Sequence, residues 1–128
     1  RSTDMASQVK SRKAKGRKLQ NLVRDRLKQI FPKLHETDIK SQTMGMTGED
    51  IVLSHEATKH IPFSFECKNQ ERLAIWQHLE QAEGNSEGRD PVLVIKRNRS
   101  KVYAVIEFDL FLNLIDKGEN GTRSRSIG

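Results

Sequence analysis

Ile61-Pro62-Phe63-Ser64-Phe65-Glu66-Cys67-Lys68 alternates apolar and polar side chains almost without a break. Successive side chains of an extended chain point to opposite faces, so Ile61, Phe63, Phe65 and Cys67 form one face and Ser64, Glu66 and Lys68 the other. A period of two over this length predicts a strand. Upstream, Asp50-Ile51-Val52-Leu53-Ser54 reads the same way, with Ile51 and Leu53 on one face and Asp50 and Ser54 on the opposite one. If these two strands pair as a hairpin, Asp50, Glu66 and Lys68 share a face. The connection from His55 to His60 is too long for a two-residue turn and has room for a short helical turn, which leaves the register open. Two acids and a lysine so arranged can hold a divalent metal beside a water. The competing reading is a solvated Glu–Lys pair on a strand face, worth under about 1 kcal/mol. Asp50 on the adjoining strand favours the site.

Outward from this pair, Leu19, Leu22, Val23, Leu27, Ile30 and Phe31 fall at helical spacing and predict an amphipathic helix over Lys15 to Phe31, stopped by Pro32. Thr37 to Gln42 reads as a short edge strand, and Thr43 to Gly48 as a flexible loop leading to Asp50. A second helix is expected from about Gln70 to Glu83, with Leu73, Ile75, Trp76, Leu79 and Ala82 as its apolar residues and Gly84 to Gly88 as its end. Pro91-Val92-Leu93-Val94-Ile95 predicts a strand covered on both faces, with Val102 to Phe108 returning beside it after a turn. Asp109 caps a last helix through about Asp116, with Gly118 just past its end. The order is α-β-β-β-α-β-β-α, an α/β fold with a mixed central sheet flanked by helices. Residues 1–14 read as a basic N-terminal tail, 15–117 as one domain and 118–128 as a C-terminal tail.

The chain has 128 residues, 34% hydrophobic and 31% charged, enough for one modest core under a highly charged surface. No apolar run approaches the roughly 20 residues that span a bilayer. The single cysteine, Cys67, cannot form an internal disulfide and reads as a small buried residue. These features predict a soluble, cytoplasmic protein without a membrane partner. The net charge is +6, and the basic residues cluster: Lys10, Arg12, Lys13, Lys15, Arg17 and Lys18 near the start, and Lys96, Arg97, Arg99 and Lys101 around the second turn. Such clustering is the footprint of phosphate binding, with Arg123 and Arg125 as further candidates. His35, His55, His60 and His78 lack the spacing of a zinc site, and Gly45-Met46-Thr47-Gly48 lacks the lysine and length of a P-loop, so no nucleotide cofactor is expected. Trp76 and Tyr103 read as core or interface residues rather than base-stacking platforms.

With these residues in place, the chain resembles the PD-(D/E)XK nuclease superfamily. The resemblance lies in the element order with Gly48-x-Asp50 on one strand and Glu66-x-Lys68 on the next. It looks most like the small Holliday junction resolvases and related phage-type nucleases, because Lys15-Gly16-Arg17 opens a basic first helix and Ser41 begins a Gly-containing loop before the acid. The likeness covers about residues 15 to 108. It implies a restriction-endonuclease-like core and an endonuclease acting on DNA, with branched DNA as a candidate substrate and a homodimer as the working form. Asp50, Glu66 and the main-chain carbonyl of Cys67 would ligate Mg2+, with Mn2+ as a substitute. Lys68 would orient or deprotonate the attacking water. Gln81 matches an auxiliary position on the second helix, with Gln77 as its competitor. Lys15, Arg17, Lys18, Ser41, Lys96, Arg97, Arg99 and Lys101 are the expected nucleic-acid contacts. Gln20 stands where relatives often carry a metal-binding glutamate, and Glu49 replaces the proline of the superfamily's name. A non-catalytic nucleic-acid-binding module, a ribonuclease of the same fold and a protein-interaction domain remain as alternatives.

Overall fold

A computed structural model describes the backbone of residues 2–127 and the side chains of residues 5–119. Its first element, α1 (Ser2–Ile30), is a helix of 29 residues, so it begins well before Lys15. Only the second half packs: Leu19, Gln20 and Val23 are buried, and Leu27 and Phe31 lie against the same core. Residues 5–14 are exposed on every side. Once the packed turns nucleate the helix, Ala, Lys, Arg and Gln extend it at little cost. The segment read as a tail therefore has helical backbone although it shows no apolar period.

After a 3-10 turn (Glu36–Asp38), β1 (Ile39–Ser41) pairs antiparallel with β2 (Ile51–Leu53). Ser54 caps the short helix α2 (His55–Thr58), its hydroxyl accepting from the Ala57 N–H at 3.0 Å. This helix occupies the connection that was too long for a turn. β3 (Phe63–Asn69) then runs parallel to β4 (Asp90–Lys96), with α3 (Ile75–Gly84) as the crossover, and β5 (Tyr103–Val105) returns antiparallel to β4. The expected β2–β3 hairpin does not form. The partner of β2 is β1, and Asp50, the residue before β2, donates its N–H to the Phe65 carbonyl of β3 at 3.1 Å. The α2 detour lets β2 and β3 leave each other after that contact.

The sheets and α1 enclose a core around Leu19, Ile39, Ile51, Ile61, Phe65 and Val94. Leu19, Ile39, Ile51 and Leu93 are essentially sealed from solvent, each stabilising the fold by roughly 1.5–3 kcal/mol relative to exposure. β4 is the central strand of its sheet, and Val92, Leu93 and Val94 are all buried, as a continuous apolar run demands. Of the core-or-interface reading of Trp76 and Tyr103, the core half does not hold. Trp76 is 81% exposed and Tyr103 is 57% exposed. On α3 the inward stripe passes through Ile75, His78, Leu79 and Ala82, and Trp76 lies about 100° round the helix from Ile75. Tyr103 sits on an edge strand with one open flank.

The last helix, α4 (Phe108–Ile127), continues past Gly118, the expected stop, so the segment read as a C-terminal tail has helical backbone. An isolated glycine lowers helix stability by about 1 kcal/mol without terminating the helix. Arg123 and Arg125 lie outside the residues whose side chains are described. Among the described residues, no helix is long and apolar enough to cross a membrane.

Candidate active site

Asp50 enters from a loop that only glycine shapes easily, since Gly45 and Gly48 have φ of 86° and 103°. Its Oδ2 then accepts the Cys67 N–H at 2.6 Å, which ties the first acid to β3 between Glu66 and Lys68. Glu66 and Lys68 project from the same face of β3, with Lys68 Nζ 3.8 Å from Glu66 Oε2. The three side chains border one cleft of about 590 Å3, so the sequence pattern does bring them together. α1 supplies one wall through Arg12, Lys13, Gly16 and Gln20, the loop 43–48 another, and α3 a third through Gln81 and Asn85.

Glu66 is only 3% exposed. Burial, reinforced by the charge of Asp50 and a hydrogen bond with it, pushes its carboxyl up to about 7. Lys68 and the Asn85 amide, 3.5 Å from Glu66 Oε1, act in the opposite direction. A buried Glu66 carboxyl whose ionisation the neighbouring Asp50 opposes makes a place where a cation is favoured. The Cys67 thiol belongs to the core, and burial pushes its pKa up, so only its main chain faces the cleft chemistry. His78, on α3, is held below the ordinary histidine value by burial and by Lys68, and its Nε2 is buried without a hydrogen-bond partner.

Gln20 is buried at the cleft wall, its Oε1 accepting from the Ser41 hydroxyl at 2.8 Å. Ser41 is thus engaged in orienting Gln20. Gln81 lines the cleft, whereas Gln77 is exposed and does not. Glu49 points away from Asp50 and pairs with Arg89, both side chains being largely buried. Among the described residues, no cluster of three or more His, Cys, Asp and Glu side chains is arranged to hold a metal, which leaves two carboxylates as the acidic donors.

Lys15, Lys18, Lys96 and Arg99 converge on a second groove of about 670 Å3. Asn69 lines both groove and cleft, its amide donating to the Lys15 carbonyl at 3.1 Å. Arg17 lies round the helix, beside Asn21, while Lys101 flanks the C-terminal half of α1 and Arg97 is exposed beyond the groove. The structure therefore joins four of the expected basic contacts in one groove, sets Arg17 beside Lys15 and Lys18 on an adjoining surface of α1, and leaves Arg97 and Lys101 outside the groove. Sequence reasoning missed Asn69, which directly follows the Glu66-x-Lys68 pair on β3, and Asn85 and Arg89, which lie in and directly after the turn read only as the end of the second helix. It assigned Arg12 and Lys13 to a tail, although their place in the basic cluster pointed to phosphate.

Comparison with known families places residues 11–126 in a match to the family described as "Phage putative PDDEXK endonuclease". No curated protein and no solved structure shows significant similarity to the chain. The matched span includes α1 from Ser11, both carboxylates, Lys68 and most of α4. The α/β architecture, with a mixed three-stranded sheet and an antiparallel pair flanked by helices, fits a restriction-endonuclease-like fold. The chain belongs to this phage family of PD-(D/E)XK endonucleases.

Proposed function

We propose that the chain is a cytoplasmic, divalent-metal-dependent endodeoxyribonuclease that hydrolyses phosphodiester bonds in the cleft around Asp50, with branched DNA as its preferred substrate. The observation that carries this reading is the convergence of Asp50, Glu66 and Lys68 in a cleft walled by basic residues of α1. The donors fit a hard cation such as Mg2+ or Mn2+: carboxylate oxygens of Asp50 and Glu66, and the main-chain carbonyl of Cys67 as the third ligand that the family resemblance implies. A metal bound there would supply positive charge to polarise a water and the scissile phosphate. Lys68 would donate to that water to orient it and would offset charge gathering on the phosphate oxygens. Gln81 and Gln20 are neutral polar groups at the rim that can position water or phosphate without adding charge. An uncharged Gln20 favours a single metal.

Lys15, Lys18, Lys96 and Arg99 grip the backbone beside the cleft, while Arg12 and Lys13 neutralise the strand that enters it. Steady-state cleavage of single-stranded, duplex, flapped and four-way substrates, in DNA and RNA versions, tests the reading with Mg2+ and with chelator. Lys68→Ala is expected to lower kcat by about 100- to 10,000-fold with DNA affinity within roughly threefold of wild type. Wild-type protein that leaves every substrate intact would overturn the nuclease reading, and RNA cut in preference to DNA would reassign the substrate.

The working form is a homodimer joined through α4. Phe108, Phe111, Leu112 and Ile115 fall on one stripe of this helix and are 44–68% exposed. Together they present on the order of 400 Å2 of apolar side chain. A standard interface takes about 800 Å2 per partner, roughly 60% of it apolar. An antiparallel copy would set Phe108 against Ile115 and Phe111 against Leu112, a self-complementary pairing suited to two-fold symmetry.

A further inference from the structure

The turn between α3 and β4 touches the supports of both acids. Asn85 ends α3, its N–H donating to the Gln81 carbonyl at 3.0 Å while its side-chain amide faces Glu66 Oε1. The Asn85 carbonyl accepts the Ser64 hydroxyl at 3.4 Å, which ties the turn to β3 two residues before Glu66. Glu87 and Gly88 then take φ of 54° and 79°, reversing the chain so that Arg89 points back across the start of β3. Arg89 Nε donates to the Phe63 carbonyl at 3.2 Å, and its Nη2 pairs with Glu49. Glu49 immediately precedes Asp50, and strand alternation sends the two carboxylates to opposite faces. Gly48, before it, adds no side-chain anchor. The Asp50 main chain is thus held through its neighbour Glu49 by Arg89, and by its own N–H on the Phe65 carbonyl at 3.1 Å, while the Cys67 N–H holds its carboxylate.

From this geometry we infer that the α3–β4 turn is the positioning element of the acidic pair, with Arg89 placing Asp50 through Glu49 and Asn85 placing Glu66 directly. The inference rests on the reading of Asp50 and Glu66 as metal ligands. Groups behind the ligands of a metal commonly change its affinity by 10- to 100-fold when removed. Arg89 suits the task because its planar fork can hold a carboxylate and a carbonyl at once. A buried pair of this kind is a poor source of net stability, since desolvation offsets much of its attraction, so its geometric role is the more informative one.

Mn2+ binding to the full chain, followed by electron paramagnetic resonance of free Mn2+, tests the inference together with cleavage kinetics and melting temperature. Arg89→Met and Asn85→Ala should each weaken Mn2+ affinity by about tenfold and lower kcat at saturating DNA, with KM for DNA unchanged. The reversed pair Glu49→Arg with Arg89→Glu should recover affinity to within roughly threefold of wild type. Wild-type Mn2+ affinity in folded Arg89→Met and Asn85→Ala overturns the positioning role alone. If Arg89→Met does not fold, the affinity of Asn85→Ala decides. Wild-type protein that binds no Mn2+, or whose binding survives Asp50→Asn, overturns the metal site and the inference with it.

Discussion

Glu66 sets the pH behaviour of the site. Its carboxyl is pushed from 4.5 up to about 7 by burial first and by Asp50 second. A raised carboxyl pKa means that the folded state binds more protons than the unfolded one between these values. The stabilising contribution is therefore complete below about 4.5 and is lost as pH rises through about 7. His78 has the opposite sign, because a depressed histidine pKa makes the unfolded chain the better proton acceptor near its ordinary value of 6.5. Comparing wild type with Glu66→Gln removes that background. In chelator, the melting temperature of wild type should fall relative to Glu66→Gln between pH 4.5 and 7, and Mg2+ should reduce the difference at pH 7. A difference that stays constant with pH would mean that Glu66 ionises normally. Asp50, Glu66 and Lys68 were legible because residue type and strand parity decide which side chains can share a face. Asn85 and Arg89 were not, because a turn brings Asn85 to Glu66 from 19 residues away and Arg89 to Glu49 from 40.

α1 joins cleft and groove because a helix presents different residues to different neighbours. Arg12, Lys13, Gly16 and Gln20 face the cleft, while Lys15 and Lys18 face the β4–β5 turn. Lys18→Ala combined with Arg99→Ala should weaken DNA binding across substrates and lower the slope of log affinity against log salt by about 2. Fluorescence anisotropy over a salt series checks this, and an unchanged slope would place the phosphates elsewhere. Apolar period announced the packed half of this helix but not its exposed half, whose stability comes from propagation rather than burial. The β1–β2 pairing was also hidden. β1 and β2 are both three-residue strands, and sequence parity says which face a side chain takes without saying which strand lies beside it.

Taken as a whole, the molecule leaves an apolar stripe on the described part of its last helix exposed. Phe108 is 68% exposed at the start of α4, and the stripe behind it remains open to solvent. Phe111→Asp should convert a dimer to a monomer in light scattering over a micromolar concentration series while leaving the core of the domain folded. A wild-type chain that is monomeric throughout that range would rule out the self-pairing. The amino-acid sequence by itself determined the α/β class, the order of most elements and that Asp50, Glu66 and Lys68 can lie on one side of the sheet, because periodicity, charge and residue type are local properties. Tertiary structure decided which strand β2 pairs with, that Glu49 meets Arg89 rather than the site, and which basic residues share a groove with Asn69. Those outcomes depend on how separated segments pack and on which charges are desolvated together, and neither is set by the spacing of residues along the chain.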